Sequence, residues 1–216
     1  MRTVFDNPDD RIRPEAVAVA VDRHASDSAI FTTDTGMSTV WLSRFVTLRG
    51  TRRLIGSYNL GSMANAMPQA LGAQAMDRER EVIAFCGDGG LTMLLGDLLT
   101  AVHHDLRVRL VVFNNGRLGM VKLEQEQGGL PEFGTKPQDT DIAAIAAAAG
   151  MHAIRVTAAD ALDGAVSAAF THPGPVLLDV VTNPDEISLP PKVKLAQGWG
   201  FAIAKLTETL ESRGSG

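Results

Sequence analysis

Short apolar runs alternate with longer alanine- and leucine-rich stretches along this chain. The short runs are rich in Val, Ile, Leu and Phe, which is typical of strands that helices bury on both faces. They predict strands at Ala29–Thr33, Glu81–Cys86, Arg109–Asn114, His152–Val156 and Val176–Val181. Helices are predicted at Pro14–Ala25, Ala66–Met76, Leu91–His104, Asp141–Ala149, Asp160–Thr171 and about Gly198–Leu210. With right-handed crossovers, this pattern predicts an α/β fold, a doubly wound parallel sheet flanked by helices on both faces.

The whole chain, residues 1–216, is expected to form a single domain, because this length can bury a large core without disulfides or metals. The segment Gly128–Thr140 is rich in Gly, Pro and acidic residues and predicts a surface loop. Asn183–Lys192 contains three prolines and predicts an extended connector. Residues from about 183 to 216 would therefore form a connector and a final helix.

Charge and composition exclude several classes of protein. With 20 Lys and Arg against 25 Asp and Glu, the formal net charge of −5 gives no electrostatic reason to bind nucleic acid. The single cysteine, Cys86, cannot form an internal disulfide, which agrees with a reducing compartment. No run approaches the ~18 apolar residues of a membrane-spanning helix, and the N-terminus does not resemble a signal peptide. We therefore expect a cytoplasmic protein.

Three loops that follow predicted strands carry residues suited to binding. Their sequences are Thr-Asp-Thr-Gly at Thr33–Gly36, Gly-Asp-Gly-Gly at Gly87–Gly90 and Asn-Asn-Gly-Arg at Asn114–Arg117. In open parallel sheets, ligands bind outside the carboxyl ends of the strands. These loops are therefore the predicted site.

The loop Gly87–Gly90 has the chemistry of a phosphate cradle. Its glycines let backbone N–H groups approach an anion at the start of the next helix. Asp88 would repel a bare phosphate unless a divalent cation lay between the two. Mg²⁺ is usually held by a carboxylate, neutral oxygens and substrate phosphates, and Asn115 offers an amide oxygen after the next strand. Taken alone, the same residues also suit an ordinary strand-to-helix turn, so both interpretations stay open at this point.

The spacing between these two loops adds a second observation. Asn115 follows Asp88 by 27 positions, with an amphipathic helix and an apolar strand between them. A Gly-Asp-Gly motif followed at this interval by Asn-Asn resembles the signature of thiamin diphosphate (ThDP) enzymes. A closer similarity covers nearly the whole chain, and it is to the C-terminal, diphosphate-binding domain of bacterial pyruvate dehydrogenase (quinone), also called pyruvate oxidase. The segments that carry it are Gly61–Ala73, Cys86–Gly90 and Val112–Asn115.

The resemblance implies roles in binding ThDP and Mg²⁺. Asp88 and Asn115 would give side-chain oxygens to the metal, and Arg117 would give its backbone carbonyl. Met63 would lie beneath the bent cofactor, and the Gly61 carbonyl would accept a hydrogen bond from the cofactor's 4′-amino group. The candidate cofactor-binding residues are Asp34, Thr35, Gly36, Gly61, Ser62, Met63, Gly87, Asp88, Gly89, Gly90, Asn115, Gly119 and Met120.

Thr35, Met120 and Glu124 match family positions at the substrate end of the pocket and are the candidate catalytic residues. From the residues alone, Glu124 fits a solvated helical face as well as a catalytic role. Thr35 departs from the aliphatic residue expected at its position. How closely the polarity of this pocket follows that of better-known relatives therefore stays open.

The resemblance also implies parts that are not found in this sequence. Full-length relatives have an N-terminal pyrimidine-binding domain, which supplies to a neighbouring subunit the glutamate that protonates the cofactor's N1′ atom, and a central FAD-binding domain. We expect the chain alone to bind ThDP and Mg²⁺ weakly and to be inactive toward pyruvate. A separate chain could supply the pyrimidine-binding domain, and a homo-oligomer, a dimer or tetramer, is expected because family active sites form between subunits. Glu211–Gly216 has no apolar face to insert into a bilayer, so the membrane contact of some relatives is not expected.

Three functions follow from these observations. The first is the ThDP- and Mg²⁺-binding domain of a pyruvate-decarboxylating flavoenzyme, which in full converts pyruvate, a quinone and water to acetate, carbon dioxide and quinol. The second is the corresponding domain of an acetolactate synthase or another 2-oxo acid decarboxylase, which shares the metal motif. The third is a free-standing, non-catalytic ThDP-binding module. The tract Gly56–Ala73 favours the first.

Overall fold

The computed structural model describes residues 11–137, 139–186 and 195–214. These residues form a six-stranded parallel sheet with helices on both faces, which confirms the predicted fold class. The strands are β1 (Ile30–Thr33), β2 (Arg53–Gly56), β3 (Val82–Gly87), β4 (Val108–Asn114), β5 (His152–Val156) and β6 (Val176–Val181). The helices are α1 (Pro14–His24), α2 (Met37–Phe45), α3 (Ala66–Met76), α4 (Asp88–Thr92), α5 (Asp97–His103), α6 (Gly119–Gln127), α7 (Ile142–Ala148), α8 (Leu162–Thr171) and α9 (Leu195–Gly214).

The order of the strands determines which loops meet. It is β2-β1-β3-β4-β6-β5, so β1, β3 and β4 are neighbours near the middle of the sheet. Thr33 of β1 is in register with Phe85 of β3, and Gly87 of β3 is in register with Phe113 of β4. The loops that follow these three strands therefore leave the same edge of the sheet side by side. We call it the carboxyl edge, and the opposite edge, where the strands begin, the amino edge.

Alternate residues of each central strand enter two separate hydrophobic layers. Phe31 and Phe85 pack on the face covered by α1, α2 and α8. Ala84, Cys86 and Val112 pack on the face covered by α3, α5 and α7. Because both faces are buried, a shift of register would expose apolar side chains or bury polar ones, so the sheet presents its edge loops in fixed positions.

Two elements were not predicted from the sequence. The edge strand β2 has four residues that alternate between exposed and half-buried, so it lacks the apolar run that revealed the other strands. Helix α2 has Ser38 and Thr39, which have low helix propensity, in its first turn, and its buried apolar residues are Trp41 and Leu42.

Other bounds differ from the prediction. The expected single helix Leu91–His104 is wrong, because the chain forms α4 and α5 with an intervening turn that contains Gly96, a poor helix former. Helix α9 is longer than predicted at both ends. The predicted loop 128–140 contains no helix or strand in its described residues. Most of the predicted connector, residues 187–192, lies outside the described ranges.

Within the described segments, no helix has both the length and the apolar character needed to cross a membrane.

Candidate cofactor-binding site

A cleft opens at the carboxyl edge of the sheet. It encloses about 640 Å³, its open mouth included. The predicted residues that line it are Asp34, Thr35, Gly36, Met63, Gly87, Asp88, Gly89, Gly90, Asn115, Arg117, Gly119 and Met120. The sequence thus predicted most of one continuous surface, assembled from four separate segments of the chain.

The glycine turn, residues 87–90, joins β3 to α4 and leaves no room for side chains at its second half. A Cβ atom at Gly89 would lie 2.5 Å from Cδ2 of Leu118, and one at Gly90 would lie 2.5 Å from Oδ2 of Asp34. Glycine is therefore required at Gly90, because the carboxylate it touches is itself fixed. Helix α4 has only five residues, so its dipole is small, and an anion here would depend mainly on the N–H groups of the turn.

Asp88 is a buried carboxylate, with 6% of its surface exposed. Burial raises its pKa to about 6, and backbone N–H groups that include those of Gly89 and Gly116 partly offset this effect. The neighbouring carboxylate of Asp179 raises the pKa further. Among the described residues, no Lys, Arg or His forms an ion pair with Asp88. A cation bound in the cleft would therefore stabilise the ionised form of Asp88 strongly.

The two asparagines after β4 have different surroundings. Asn114 donates its Nδ2–H to Oδ1 of the buried Asp179 at 2.9 Å, so it serves the interior of the fold. Asn115 lines the cleft, and its Oδ1 accepts a hydrogen bond from the N–H of Arg117 at 3.0 Å. Gly116, which lies between Asn115 and Arg117, has φ of +60°, a conformation that favours glycine. Residues 115–118, which we call the asparagine turn, therefore place the Asn115 side chain in the lining of the cleft, beside the glycine turn.

Asp34 joins the parts of the site together. Its Oδ1 accepts a hydrogen bond from the N–H of Ala66 at 2.8 Å, and its Oδ2 accepts one from the N–H of Gly87 at 3.2 Å. Burial raises the pKa of Asp34, while these N–H groups act in the opposite direction. Both carboxylate oxygens thus bind backbone, so Asp34 braces β1, the start of α3 and the glycine turn.

Met63 reaches the cleft from a strained turn. Its Cε lies 3.9 Å from the position that a Cβ at Gly89 would occupy, so its thioether covers the glycine turn. The next residue, Ala64, has φ of +60°, which costs a residue with a Cβ about 1 kcal/mol or more. Gly61 has φ of +62° in the same segment, where glycine takes that conformation without strain. The backbone thus stores strain at the point where it presents Met63.

The donor set suits a hard cation such as Mg²⁺. The described ranges contain no group of three or more His, Cys, Asp or Glu side chains placed to hold a metal. Asp88 and Asn115 supply one carboxylate and one amide oxygen in the same cleft, and Arg117 lines it as well. Mg²⁺ commonly takes few protein ligands and completes its shell with phosphate oxygens and water.

The candidate catalytic residues fall into two groups. Thr35 and Met120 line the cleft. The N–H of Thr35 donates to the carbonyl of Ser62 at 3.2 Å, and its hydroxyl donates to the carbonyl of Ser57 at 3.4 Å. Glu124 lies on the exposed side of α6 and is not part of the cleft lining. Gly61 and Ser62 are also not lining residues, and they lie in the turn behind Thr35.

Several lining residues were missed by the sequence analysis. Trp41 was missed because α2 was not predicted, and Leu118 because an apolar residue in a loop carries no signal of its own. Thr182 and Asn183 follow β6 and also line the cleft. The general rule that sites form after parallel strands could have pointed to these last two.

Comparisons with known proteins identify the family. The family model described as "Thiamine pyrophosphate enzyme, C-terminal TPP binding domain" matches residues 34–180. The chain is 35% identical over 202 residues to YdaP of Bacillus subtilis (strain 168), whose name describes a thiamine pyrophosphate-containing protein; the alignment covers 94% of this chain and 35% of that protein. It is 32% identical over 175 residues to the acetolactate synthase isozyme 1 large subunit of Escherichia coli (strain K12), with 79% of this chain and 30% of that protein covered.

The chain therefore spans about a third of the length of these relatives. Their names do not support the narrower expectation of pyruvate oxidase, and they fit the acetolactate synthase-like alternative better. The matched domain binds thiamine pyrophosphate, which is the same compound as ThDP, and Mg²⁺ is its typical metal. Because the family model matches more than half of the chain, and because the parallel α/β sheet is the fold expected for it, the chain belongs to the family of C-terminal TPP-binding domains of thiamine pyrophosphate enzymes.

Proposed function

We propose that this chain holds the diphosphate end of ThDP through Mg²⁺, as part of an enzyme that acts on a 2-oxo acid in the manner of acetolactate synthase, with pyruvate as substrate. The observation that carries the proposal is the buried carboxylate of Asp88, which has no cationic partner in the described part of the chain and faces a cleft that Asn115 also lines. The names of the acetolactate synthase relatives support the reaction class.

In this proposal, the protein contributes three oxygens to the metal. They are a carboxylate oxygen of Asp88, Oδ1 of Asn115 and the carbonyl of Arg117. Oδ1 of Asn115 already accepts one hydrogen bond from the backbone, which leaves it a second lone pair for a cation. The backbone N–H groups of the glycine turn would bind the diphosphate oxygens.

The remaining cleft residues shape the space around the cofactor's rings. Bound ThDP supplies a nucleophile that attacks a 2-oxo carbonyl, and it then stores the electron pair that carbon dioxide leaves behind. Met63 would support the rings from below, because its flexible thioether already lies over the glycine turn. Thr35 and Met120 would contact the substrate end, whereas Glu124 has no role in the proposal because it lies outside the cleft.

Binding is tested by calorimetric titration of ThDP into the chain with excess Mg²⁺. The variant Asp88→Ala removes the carboxylate, and we expect it to lower the affinity by about 100-fold or more. Asp163→Ala is the matched control, since Asp163 lies on the surface in an ion pair with Arg23 and is not among the residues that line the cleft. Equal binding by the wild type and Asp88→Ala would reject the metal site.

The reaction class is tested on the protein isolated from its own host, so that any associated subunits are retained. With pyruvate, ThDP and Mg²⁺, acetolactate is the expected product. Formation of acetate together with reduction of an electron-accepting dye would instead support the hypothesis of a flavin-linked pyruvate oxidase, which the tract Gly56–Ala73 favours. A complex that binds ThDP but forms neither product would exclude pyruvate as the substrate. Native mass spectrometry of the same sample would test the expected homo-oligomer and the expected partner chain with a pyrimidine-binding domain.

A further inference from the structure

A second polar cluster lies beside the asparagine turn, and apart from Arg117 its residues were not candidate site residues. Its centre is the ion pair between Arg117 and Glu132, in which Nη1 of Arg117 lies 2.5 Å from both carboxylate oxygens. The pair is largely shielded from water, with 14% of the Glu132 side chain exposed. A shielded, charge-assisted contact of this kind restricts the Arg117 side chain to one position.

Glu132 and the segment around it also hold the residue after Arg117. The buried Thr135 donates its hydroxyl to Oε1 of Glu132 at 2.5 Å, and its carbonyl accepts the N–H of Leu118 at 2.8 Å. Leu118 in turn is the residue whose Cδ2 lies against Gly89 of the glycine turn. Glu132 and Thr135 together therefore fix both Arg117 and Leu118.

The same segment is tied to the C-terminal helix. The N–H of Glu132 donates to Oε1 of Glu208 on α9 at 3.0 Å. Lys205, one turn earlier on α9, donates to Oε2 of Glu208 at 2.9 Å and to Oε1 of the buried Glu126 on α6 at 2.6 Å. A series of contacts therefore connects α6 and α9, through Glu208 and Glu132, to the asparagine turn.

The asparagine turn needs such external support. It contains Gly116 in the left-handed conformation, and glycine leaves the backbone free to adopt other shapes when nothing holds it. The proposed metal ligands Asn115 and Arg117 lie on either side of this glycine. Misplacement of either one by a fraction of an ångström would weaken coordination by Mg²⁺, which tolerates little distortion.

We propose that Glu132 is a positioning residue for the asparagine turn: it holds Arg117 and Leu118 in the arrangement that binds Mg²⁺ and ThDP, and it couples that binding to the docking of α9. The inference rests on the proposed function, since it assumes that Asn115 and Arg117 bind the metal. Because coupling between two sites is reciprocal, bound ThDP and Mg²⁺ must also stabilise the docked position of α9.

The first test compares calorimetric affinities for ThDP in the presence of Mg²⁺ and in the presence of a chelator. Loss of a residue that orients a metal ligand typically costs about 10- to 100-fold in affinity, and we expect Glu132→Gln to lose about 10-fold with Mg²⁺ and nothing without it. Glu79→Gln is the control, because the Glu79 side chain is 92% exposed and lies near the amino edge. A general loss of structure would lower the affinity in both conditions, whereas a positioning role lowers it only when the metal is present.

The second test measures amide hydrogen exchange on α9. In the wild type, ThDP with Mg²⁺ should slow exchange on α9 by about threefold or more, and in Glu132→Gln this response should be absent. Glu208→Ala removes the side-chain oxygen that accepts the N–H of Glu132, and with it the link to α9, so it should abolish the exchange response while leaving most of the affinity. Should Glu132→Gln fail to fold, Thr135→Val removes only the hydroxyl that orients Glu132 and serves in the same two measurements.

The outcomes separate the two proposals. If the wild type binds ThDP with Mg²⁺ and Glu132→Gln binds it equally well, the positioning role is wrong and the proposed function stands. If ThDP with Mg²⁺ does not change the rate of amide hydrogen exchange on α9 in the wild type, the proposed coupling is wrong. A wild-type chain that binds no ThDP would reject the proposed function and this inference with it.

Discussion

The two edges of the parallel sheet use their buried polar groups in opposite ways. At the amino edge, arginine side chains donate hydrogen bonds to backbone carbonyls and close that end of the fold. At the carboxyl edge, the buried carboxylates of Asp34 and Asp88 lie among backbone N–H groups beside an open cleft. Positive side chains thus meet carbonyls at one edge, and negative side chains meet N–H groups at the other.

Two arginines show these contacts at the amino edge. The Arg52 side chain is fully buried, pairs with Asp22 at 2.5 Å and donates its Nε–H to the carbonyl of Ser26 at 2.8 Å. Arg109 donates to the carbonyl of Gly174 at 2.8 Å, in the loop before β6. Each of these contacts joins segments that are distant in sequence, so this edge contributes to stability.

The carboxyl edge has a buried carboxylate that is available to a ligand. Asp34 uses both of its oxygens on backbone, but Asp88 has no ion pair with any described residue, and it lines the open cleft. A buried carboxylate in this state destabilises the empty protein and favours a bound cation. The comparison therefore separates residues that stabilise the fold, such as Arg52, from residues that the fold positions for a ligand, such as Asp88.

The largest effect on stability is expected at the amino edge. Arg52→Met removes the cation from a buried ion pair and leaves carbonyl groups without donors, so the free energy of unfolding should fall by about 3 kcal/mol. Arg49→Met is the matched control: Arg49 contacts the same Asp22, but its side chain is 39% exposed, so a much smaller loss is expected. Urea denaturation measures both. Equal losses would show that burial does not distinguish the two arginines.

The sequence predicted the parts of this comparison that depend on local patterns. The central strands were found because their residues are buried on both faces, and the meeting of Asp88 with Asn115 followed from the adjacency of parallel strands. Strand β2 was missed because its residues are only half-buried. The sequence analysis assigned the metal-binding role to Asn115, but the different role of Asn114 was not predicted, because only the fold places Asn114 against Asp179.

Contacts between distant segments explain what remained hidden. Asp34 was predicted to bind the cofactor, yet both of its carboxylate oxygens are hydrogen-bonded to the backbone of other segments. The pair of Arg117 and Glu132 depends on a loop that folds back onto the asparagine turn and on α9. No periodicity or motif in the sequence records such contacts, since each partner alone is an ordinary charged residue.

A smaller loss of stability is expected at the carboxyl edge for Gly90→Ala. The new Cβ would lie 2.5 Å from Oδ2 of Asp34 and 3.2 Å from the backbone nitrogen of Ala64, and neither atom can move without breaking the brace. The cost should be about 2 kcal/mol, together with weaker binding of ThDP. Gly72→Ala in α3, where the space around the new Cβ is open, should instead raise the stability by about 0.5 to 1 kcal/mol. If Gly90→Ala behaved like Gly72→Ala, the close packing of the glycine turn would be wrong.

The smallest effect has the opposite sign and tests the central claim about the carboxyl edge. Asp88→Asn removes a buried charge that lacks an ion pair with any described residue, so the ligand-free chain should gain about 1 kcal/mol in its free energy of unfolding at pH 8. Asp179→Asn is the matched comparison, because Asp179 is also buried but paired with Arg155 at 2.7 Å, and it should lose about 1–3 kcal/mol. Denaturation repeated with ThDP and Mg²⁺ completes the test: at 100 times the dissociation constant the wild type should gain about 2.7 kcal/mol, and Asp88→Asn should gain almost nothing. A loss of stability in ligand-free Asp88→Asn would mean that Asp88 supports the fold like the arginines of the amino edge, and the contrast between the two edges would fail.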